Sequence, residues 1–392
     1  MTARTNAAAL IYDGTRFEVV HLGMKPRDVI SFIAYNVTRM VPFFLAWRWL
    51  QSPIHYREVL WALVVSGCIY ALLALYEMRF SPQLNVMLYG FFPHDWLQHV
   101  RGGRFRPVVF LQHGLWLALF LFMVAISAFS LAQQSTGKAK VIALLPALWV
   151  TAVLLLSPNL GAAMLVCLFL PLLFLPRAIQ IRAIWTVTFI FLVFPALRQA
   201  ELIPTERFLS LVENVSEERA ASLAFRFQNE DDLLARAANR PFFGWGGWGR
   251  WRVIDERGVD TTVADGLWII ILGSRGWIGY IGFFGILTVP LLLLVRASRQ
   301  KEVPLTITTM GLILSANLIY LVPNSALSPI SWLLGGSVAG FVSWRLKENR
   351  VTNPERAANL LPSSPYTRFS NGPSQDPSVV LRRSSTEQTS TK

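Results

Sequence analysis

Cysteine, histidine and charge are all scarce in this chain. Of 392 residues two are cysteine. Cys68 and Cys167 both lie within apolar runs, so neither a disulfide framework nor a cysteine-based metal cluster is available. The five histidines, His21, His55, His94, His99 and His113, are all in the first third of the chain, and none stands in a metal-binding spacing. Charged residues make up 15% of the chain against 53% hydrophobic ones, and the mean hydropathy is +0.44. That balance excludes an ordinary soluble protein and fits a polytopic membrane protein. No glycine-rich loop is followed by Lys and Ser or Thr, which argues against a nucleotide triphosphate site. No cleavable signal is visible either, because the first 27 residues are polar or mixed. The net charge of +13 sits largely in short loops between apolar runs, where basic residues set topology instead of gripping nucleic acid.

A helix needs about 20 apolar residues to cross a bilayer. Candidate spans run from Val29 to Leu50, Val59 to Tyr76, Val108 to Leu131, Val141 to Leu156, Leu160 to Leu175, Ile181 to Ala196, Trp277 to Val295, Leu305 to Val322 and Ile330 to Trp344. The expected fold is an all-α polytopic membrane protein with about nine to eleven transmembrane helices and one large loop facing outward. In this reading residues 1–28 are an N-terminal tail, 29–197 a first transmembrane bundle and 198–264 the large loop with the site. Residues 265–346 follow as an interfacial helix (Leu267 to Leu272) and further spans, and 347–392 as a disordered basic tail. The stretch from Pro82 to Val100 is ambiguous. Lys138 and Lys140, Arg177 and Arg182, and Arg296, Arg299 and Lys301 mark three short loops as cytoplasmic. The large loop and, by the same count, the N-terminus then face outward.

Arg79, Arg101, Arg104 and Arg106 fall on the outer side, against the positive-inside preference. A guanidinium binds phosphate bidentately, so Arg101 and Arg104 suit a lipid-linked pyrophosphate; a span count off by one would instead make the cluster cytoplasmic.

The loop from Arg198 to Thr262 holds nine arginines, no lysine and eleven acids. Ser216-Glu-Glu-Arg has the pattern of a helix N-terminus, and Arg240-Pro241 closes that segment. Arg219 and Arg226 are two turns apart, about 10 Å by the helical rise, and could grip a pyrophosphate together. Alternatively Arg226 forms an i,i+4 ion pair with Glu230. Glu230, Asp231 and Asp232 spread around a helix and do not converge on a metal, so none is expected. Gly244 and Gly246 mark a close backbone approach to a ligand or to another segment. Trp245, Trp248 and Trp251 offer faces for sugar stacking or anchors at the membrane interface. Asp265 stands at the membrane edge, either as the N-cap of the following helix or as a general base for an acceptor hydroxyl.

Arg226, then Pro241-Phe-Phe-Gly244-Trp-Gly246, Asp265-Gly-Leu-Trp268 and Gly276-Trp-Ile-Gly279 in that order resemble the O-antigen ligase and polymerase superfamily, exopolysaccharide polymerases included. Arg104-Phe-Arg-Pro-Val-Val-Phe-Leu-Gln-His113-Gly and Ser157-Pro-Asn-Leu-Gly161 match further family features. The matches cover roughly Arg101 to Gly285. The resemblance implies a bacterial inner-membrane glycosyltransferase that joins undecaprenyl-pyrophosphate-linked glycan repeats at the periplasmic face, without metal or cofactor. It implies His113 among the substrate-binding residues, membrane lipids as surroundings and a chain-length regulator protein as a further partner. Ligases of the family carry a histidine in or after the large loop. Here Asp265 stands near that place, which favours polymerase over ligase. The alternatives are a glycan ligase acting on a lipid or protein acceptor, and a polysaccharide transporter or flippase.

Overall fold

The computed structural model describes residues 1–12, 19–214, 216–247, 249–255, 259–300 and 302–352, with the backbone alone at Tyr12, Val19, Val20, Arg101, Glu218 and 347–352. Residues 1–346 form one compact unit. From residue 347 on, the end of the last helix, to Thr352, is described. The tail from 353 lies outside the described residues.

The helices are α1 (Thr2–Thr5), α2 (Pro26–Trp49), α3 (Pro53–Phe80), α4 (Leu84–Tyr89), α5 (Gly114–Gln133), α6 (Gly137–Leu156), α7 (Leu160–Phe174) and α8 (Arg177–Gln199). They continue as α9 (Thr205–Glu213), α10 (Glu217–Ala238), α11 (Leu267–Ser298), α12 (Leu305–Tyr320) and α13 (Pro329–Thr352). A short 3-10 helix (Trp96–His99) and two antiparallel strand pairs complete the elements of the described residues, β1 (Leu10–Tyr12) with β2 (Val19–His21), and β3 (Val100–Arg101) with β4 (Arg104–Phe105).

Six helices, α2, α3, α5, α6, α8 and α11, are long and apolar enough to cross a membrane, and α7 and α12 are shorter apolar helices. Each expected span overlaps a helix, but the one expected from Val108 is helical only from Gly114. Their burial differs sharply: 83% of the apolar window of α5 is enclosed, against 17–33% in the other five long helices. α5 is therefore the centre. α12 joins it there, with nearly every residue buried, and Ser130 Oγ and Thr309 Oγ1 hydrogen bond between the two at 2.6 Å. The outer helices display bare apolar side chains such as Ile33, Leu72, Leu145 and Met164, a surface that lipid and not water accommodates. The fold is that of a helical multi-pass membrane protein.

The ambiguous stretch after α3 is neither span nor simple loop. Glu77, fully buried near the end of α3, accepts from the backbone N–H groups of Val108 and Val109 at 2.7 Å each and of Leu84 at 3.0 Å. One carboxylate thus satisfies three buried donors. It folds residues 81–113 back over the end of the bundle, and Asn85 reinforces this by donating to the Val109 carbonyl.

The expected interfacial helix from Leu267 to Leu272 is instead interior. Trp268, Ile269, Ile271 and Leu272 are buried, and the helix runs on into the next span except for a break at Gly276, φ 65°. Its apolar side chains pack in the protein, not along a membrane surface.

Candidate functional site

α10 begins as its sequence suggests: Ser216 Oγ accepts from Arg219 N at 3.4 Å. Its inward face carries Asn229, Leu233, Leu234 and Ala237. Buried Arg198 at the end of α8 ties the helix down, bonding Asp231 at 2.6 Å and lying 3.7 Å from Glu230. Burial pushes the Glu230 carboxyl up to about 7, against the pull of Arg198. Asp232 points elsewhere, to Gln228. Glu230 and Asp231 thus share one guanidinium while Asp232 turns away from it; among the described residues there is no group of three or more His, Cys, Asp and Glu that could hold a metal ion.

Asn229 is the residue that builds the site. Its Oδ1 accepts from Val263 N at 2.7 Å, pinning the chain just before Asp265 against α10. The next residues thread under the α12 terminus: Leu267 N donates to the carbonyls of Leu321 and Asn324. A Cβ on Gly266 would lie 2.2 Å from the Val322 carbonyl oxygen. The result is an ion pair between Arg226 Nε and Asp265 Oδ2 at 3.4 Å, both side chains 41% exposed. This overturns two expectations. Arg226 pairs across the loop and not with Glu230 one turn along. Nor is Asp265 the cap of α11; that position belongs to Gly266, without a side-chain cap.

Arg226 and Asp265 open on a cavity of about 1450 Å³. Arg39 and Tyr35 of α2 line it, as do His94, Arg106, His113 and Trp116 from the refolded stretch and α5, and Asn324 and Pro329 from the far side. Three arginines face it against one carboxylate. Tyr89, Phe91, Phe110 and Trp116 supply aromatic wall.

Three histidines cluster at its edge, with ring centroids 4.6–5.9 Å apart. His99 is fully buried, with Nδ1 on the Asp95 carbonyl and Nε2 accepting from Gly114 N. That pattern suits a neutral ring, and burial pushes its pKa down. His113 caps α5, its Nδ1 accepting from Leu115 N at 3.0 Å. His94 is exposed toward the cavity.

Of the residues singled out from sequence, Arg226, Asp265 and His113 come together. Arg219 is exposed on α10 and does not line the cavity. Arg104 is likewise exposed on β4 and outside the lining; Arg106, two residues on, takes the place expected of it. The Arg101 side chain and Trp248 lie outside what is described. Gly244, Trp245 and Gly246 are a correction. At the α11 break the carbonyls of Gly273 and Ser274 accept from Trp245 N and Gly246 N, while Trp277 N and Ile278 N donate to the Pro241 and Phe242 carbonyls. A Cβ at Gly244 would stand 2.4 Å from Arg275 N, so of the two close approaches expected here the one the glycines make is to another segment, the helix α11. Trp245 is buried, with Arg236 and Arg240 against its ring at 3.6 and 4.3 Å and its Nε1 on the Arg236 carbonyl. Buried beneath two guanidinium groups, it offers no open face to a sugar.

Arg39, His94 and Trp116 were missed as site residues. Arg39 carried a signal, a charge inside the first apolar run. His94 and Trp116 carried none, since their position depends on the Glu77 fold.

Compared with known protein families, with curated proteins and with solved structures, the chain matches none.

Proposed function

We propose that the protein is a bacterial inner-membrane glycan polymerase, joining undecaprenyl-pyrophosphate-linked repeats at the periplasmic face. The observation that carries this reading is a large cavity at one end of a membrane bundle, walled by aromatics and faced by Arg39, Arg106 and Arg226 with a single carboxylate, Asp265. Guanidinium groups suit the pyrophosphate and aromatic faces suit the sugars. In the transfer, the acceptor hydroxyl oxygen attacks the donor's anomeric carbon and the bond from that carbon to the pyrophosphate oxygen breaks. Polyprenyl pyrophosphate leaves with the electron pair, and the hydroxyl proton passes to Asp265. Pyrophosphate is already a good leaving group, so charge stabilisation by arginine and positioning supply most of the rate.

Arg226 meets Asp265 through an exposed contact worth about 0.2–1 kcal/mol. A bound pyrophosphate outcompetes so weak a partner and frees the carboxylate as a base in the step that needs it.

The purified protein in lipid, given a polyprenyl-pyrophosphate-linked oligosaccharide repeat, is expected to produce a ladder of lengthened products, and to do so equally in EDTA. Single repeats that stay unlengthened, while a preformed polymer moves to another acceptor, would make the protein a ligase. A ladder dependent on added Mg²⁺ would overturn the metal-free mechanism.

The N-terminal segment supports the sidedness. Arg250, buried, donates to the carbonyls of Ala8, His21 and Leu22, and Arg240 to that of Thr5 and to Asn6 Oδ1. The segment before α2 therefore lies at the same end as the large loop. If α2, α3, α5, α6, α7, α8, α11, α12 and α13 all cross in alternation, Lys138, Lys140, Arg177, Arg182, Arg296 and Arg299 share the other end, and their charge supports a cytoplasmic reading of it. Reporter fusions after Glu213 should behave as exported and those after Gln300 as cytoplasmic; the reverse would take the cavity away from the periplasm.

A further inference from the structure

Arg275 precedes the break in α11. Its guanidinium carbon lies 4.1 Å from the ring centroid of Phe32 on α2 and 4.9 Å from that of Phe283. Gly279, one turn on, leaves space for its stem, since a Cβ there would stand 2.2 Å from Arg275 Cβ. The groups acting on its charge are Arg39, of the same sign, and the phenol of Tyr35. Arg39 donates to Tyr35 Oη at 3.0 Å and to the Leu327 carbonyl at 3.1 Å. Among the described residues neither arginine pairs with a carboxylate, and Arg275 Nε is buried without a hydrogen-bond partner.

Two neighbouring guanidinium groups on membrane-crossing helices, with no acid between them, are costly twice over, by desolvation and by mutual repulsion. An anion between them removes both costs. Its source is indicated by the surroundings. Phe32, Ile33 and Tyr35 are 40%, 54% and 59% exposed on α2, the face that a helix of this length and apolarity turns to lipid. Arg39 also lines the large cavity, so an anion held there sits beside it.

We propose that Arg39 and Arg275, with the Tyr35 hydroxyl, form a lateral site between α2 and α11 for the phosphate or pyrophosphate headgroup of a lipid whose chain stays in the bilayer. The site adjoins the cavity of the Arg226–Asp265 pair and shares Arg39 and Tyr35 with its lining, while Arg275 lies outside that lining. Identifying its lipid as the glycan carrier rests on the function proposed above; the headgroup site itself does not.

The test uses the full-length protein in phosphatidylcholine nanodiscs, with farnesyl pyrophosphate, phosphatidylglycerol and inorganic pyrophosphate as separate probes and binding read by native mass spectrometry. Arg275→Gln, Arg275→Lys and Arg39→Gln are each expected to weaken farnesyl pyrophosphate binding by about 10-fold or more, the cost of losing charged hydrogen bonds. Arg275→Lys keeps the charge and guards against loss of folding in the glutamine variants. A preference for farnesyl pyrophosphate over phosphatidylglycerol assigns the site to a pyrophosphate carrier. Equal binding, still lost in the variants, assigns it to anionic phospholipid, the other source of the same headgroup chemistry. The proposal is overturned if the variants bind both lipids as the wild type does, or if inorganic pyrophosphate binds as tightly as the farnesyl form. Binding is read without turnover, so intact binding in a protein that makes no glycan ladder would sink the polymerase reading alone.

Discussion

Asp265→Asn is expected to lower polymer formation by at least about 10²-fold, the low end of what removing a general base costs, while protein level and thermal stability stay close to wild type. The stability half of the expectation follows from geometry. Asp265 makes no cap hydrogen bond to α11, and its contact with Arg226 is 3.4 Å long with both side chains 41% exposed. Asparagine keeps the shape and loses the proton acceptor. The measurement is ladder yield at matched protein amount, together with the melting temperature. Near-normal polymer from Asp265→Asn would make the carboxylate structural, and His94, the exposed histidine at the cavity edge, would be the next base to test.

Arg226 should be equally intolerant, and more revealing in its conservative form. Both Arg226→Ala and Arg226→Lys are expected to reduce polymer by about 10²-fold or more, in the range seen when one charge-stabilising donor is removed. Lysine preserves the charge but presents no planar fork, so its failure separates bidentate phosphate recognition from simple attraction. Substrate binding should weaken in both variants. Full activity in Arg226→Lys would refute bidentate recognition; mild impairment in Arg226→Ala would reduce Arg226 to a partner of Asp265.

The apolar helices were legible because each needs only a run of apolar residues, and every expected span overlaps a helix. The start of α10 was legible from its serine and the acids after it. What lay beyond reach was long-range. Nothing near Glu77 in sequence announces that it will gather the N–H groups of Leu84, Val108 and Val109, yet that fold brings His94, Arg106 and Trp116 to the cavity. Nothing about Asn229 announces Val263. The glycines left ligand and neighbouring segment both open, and Trp245 left sugar stacking open. Glycine signals close approach without saying to what, and the aromatic face suited to a sugar is equally suited to the two arginines that cover it.

The break at Gly276 also bears on how the chain is assembled. A helix interrupted inside a membrane protein leaves carbonyl and N–H groups without their usual partners. Here those partners belong to residues 241–246, which are translated before α11. The loop must therefore be in place on its own side when α11 enters the bilayer, or the break stays unsatisfied. A loop transplanted from another protein would fail first at insertion, before any question of substrate arises, unless it brought its own version of that backbone match.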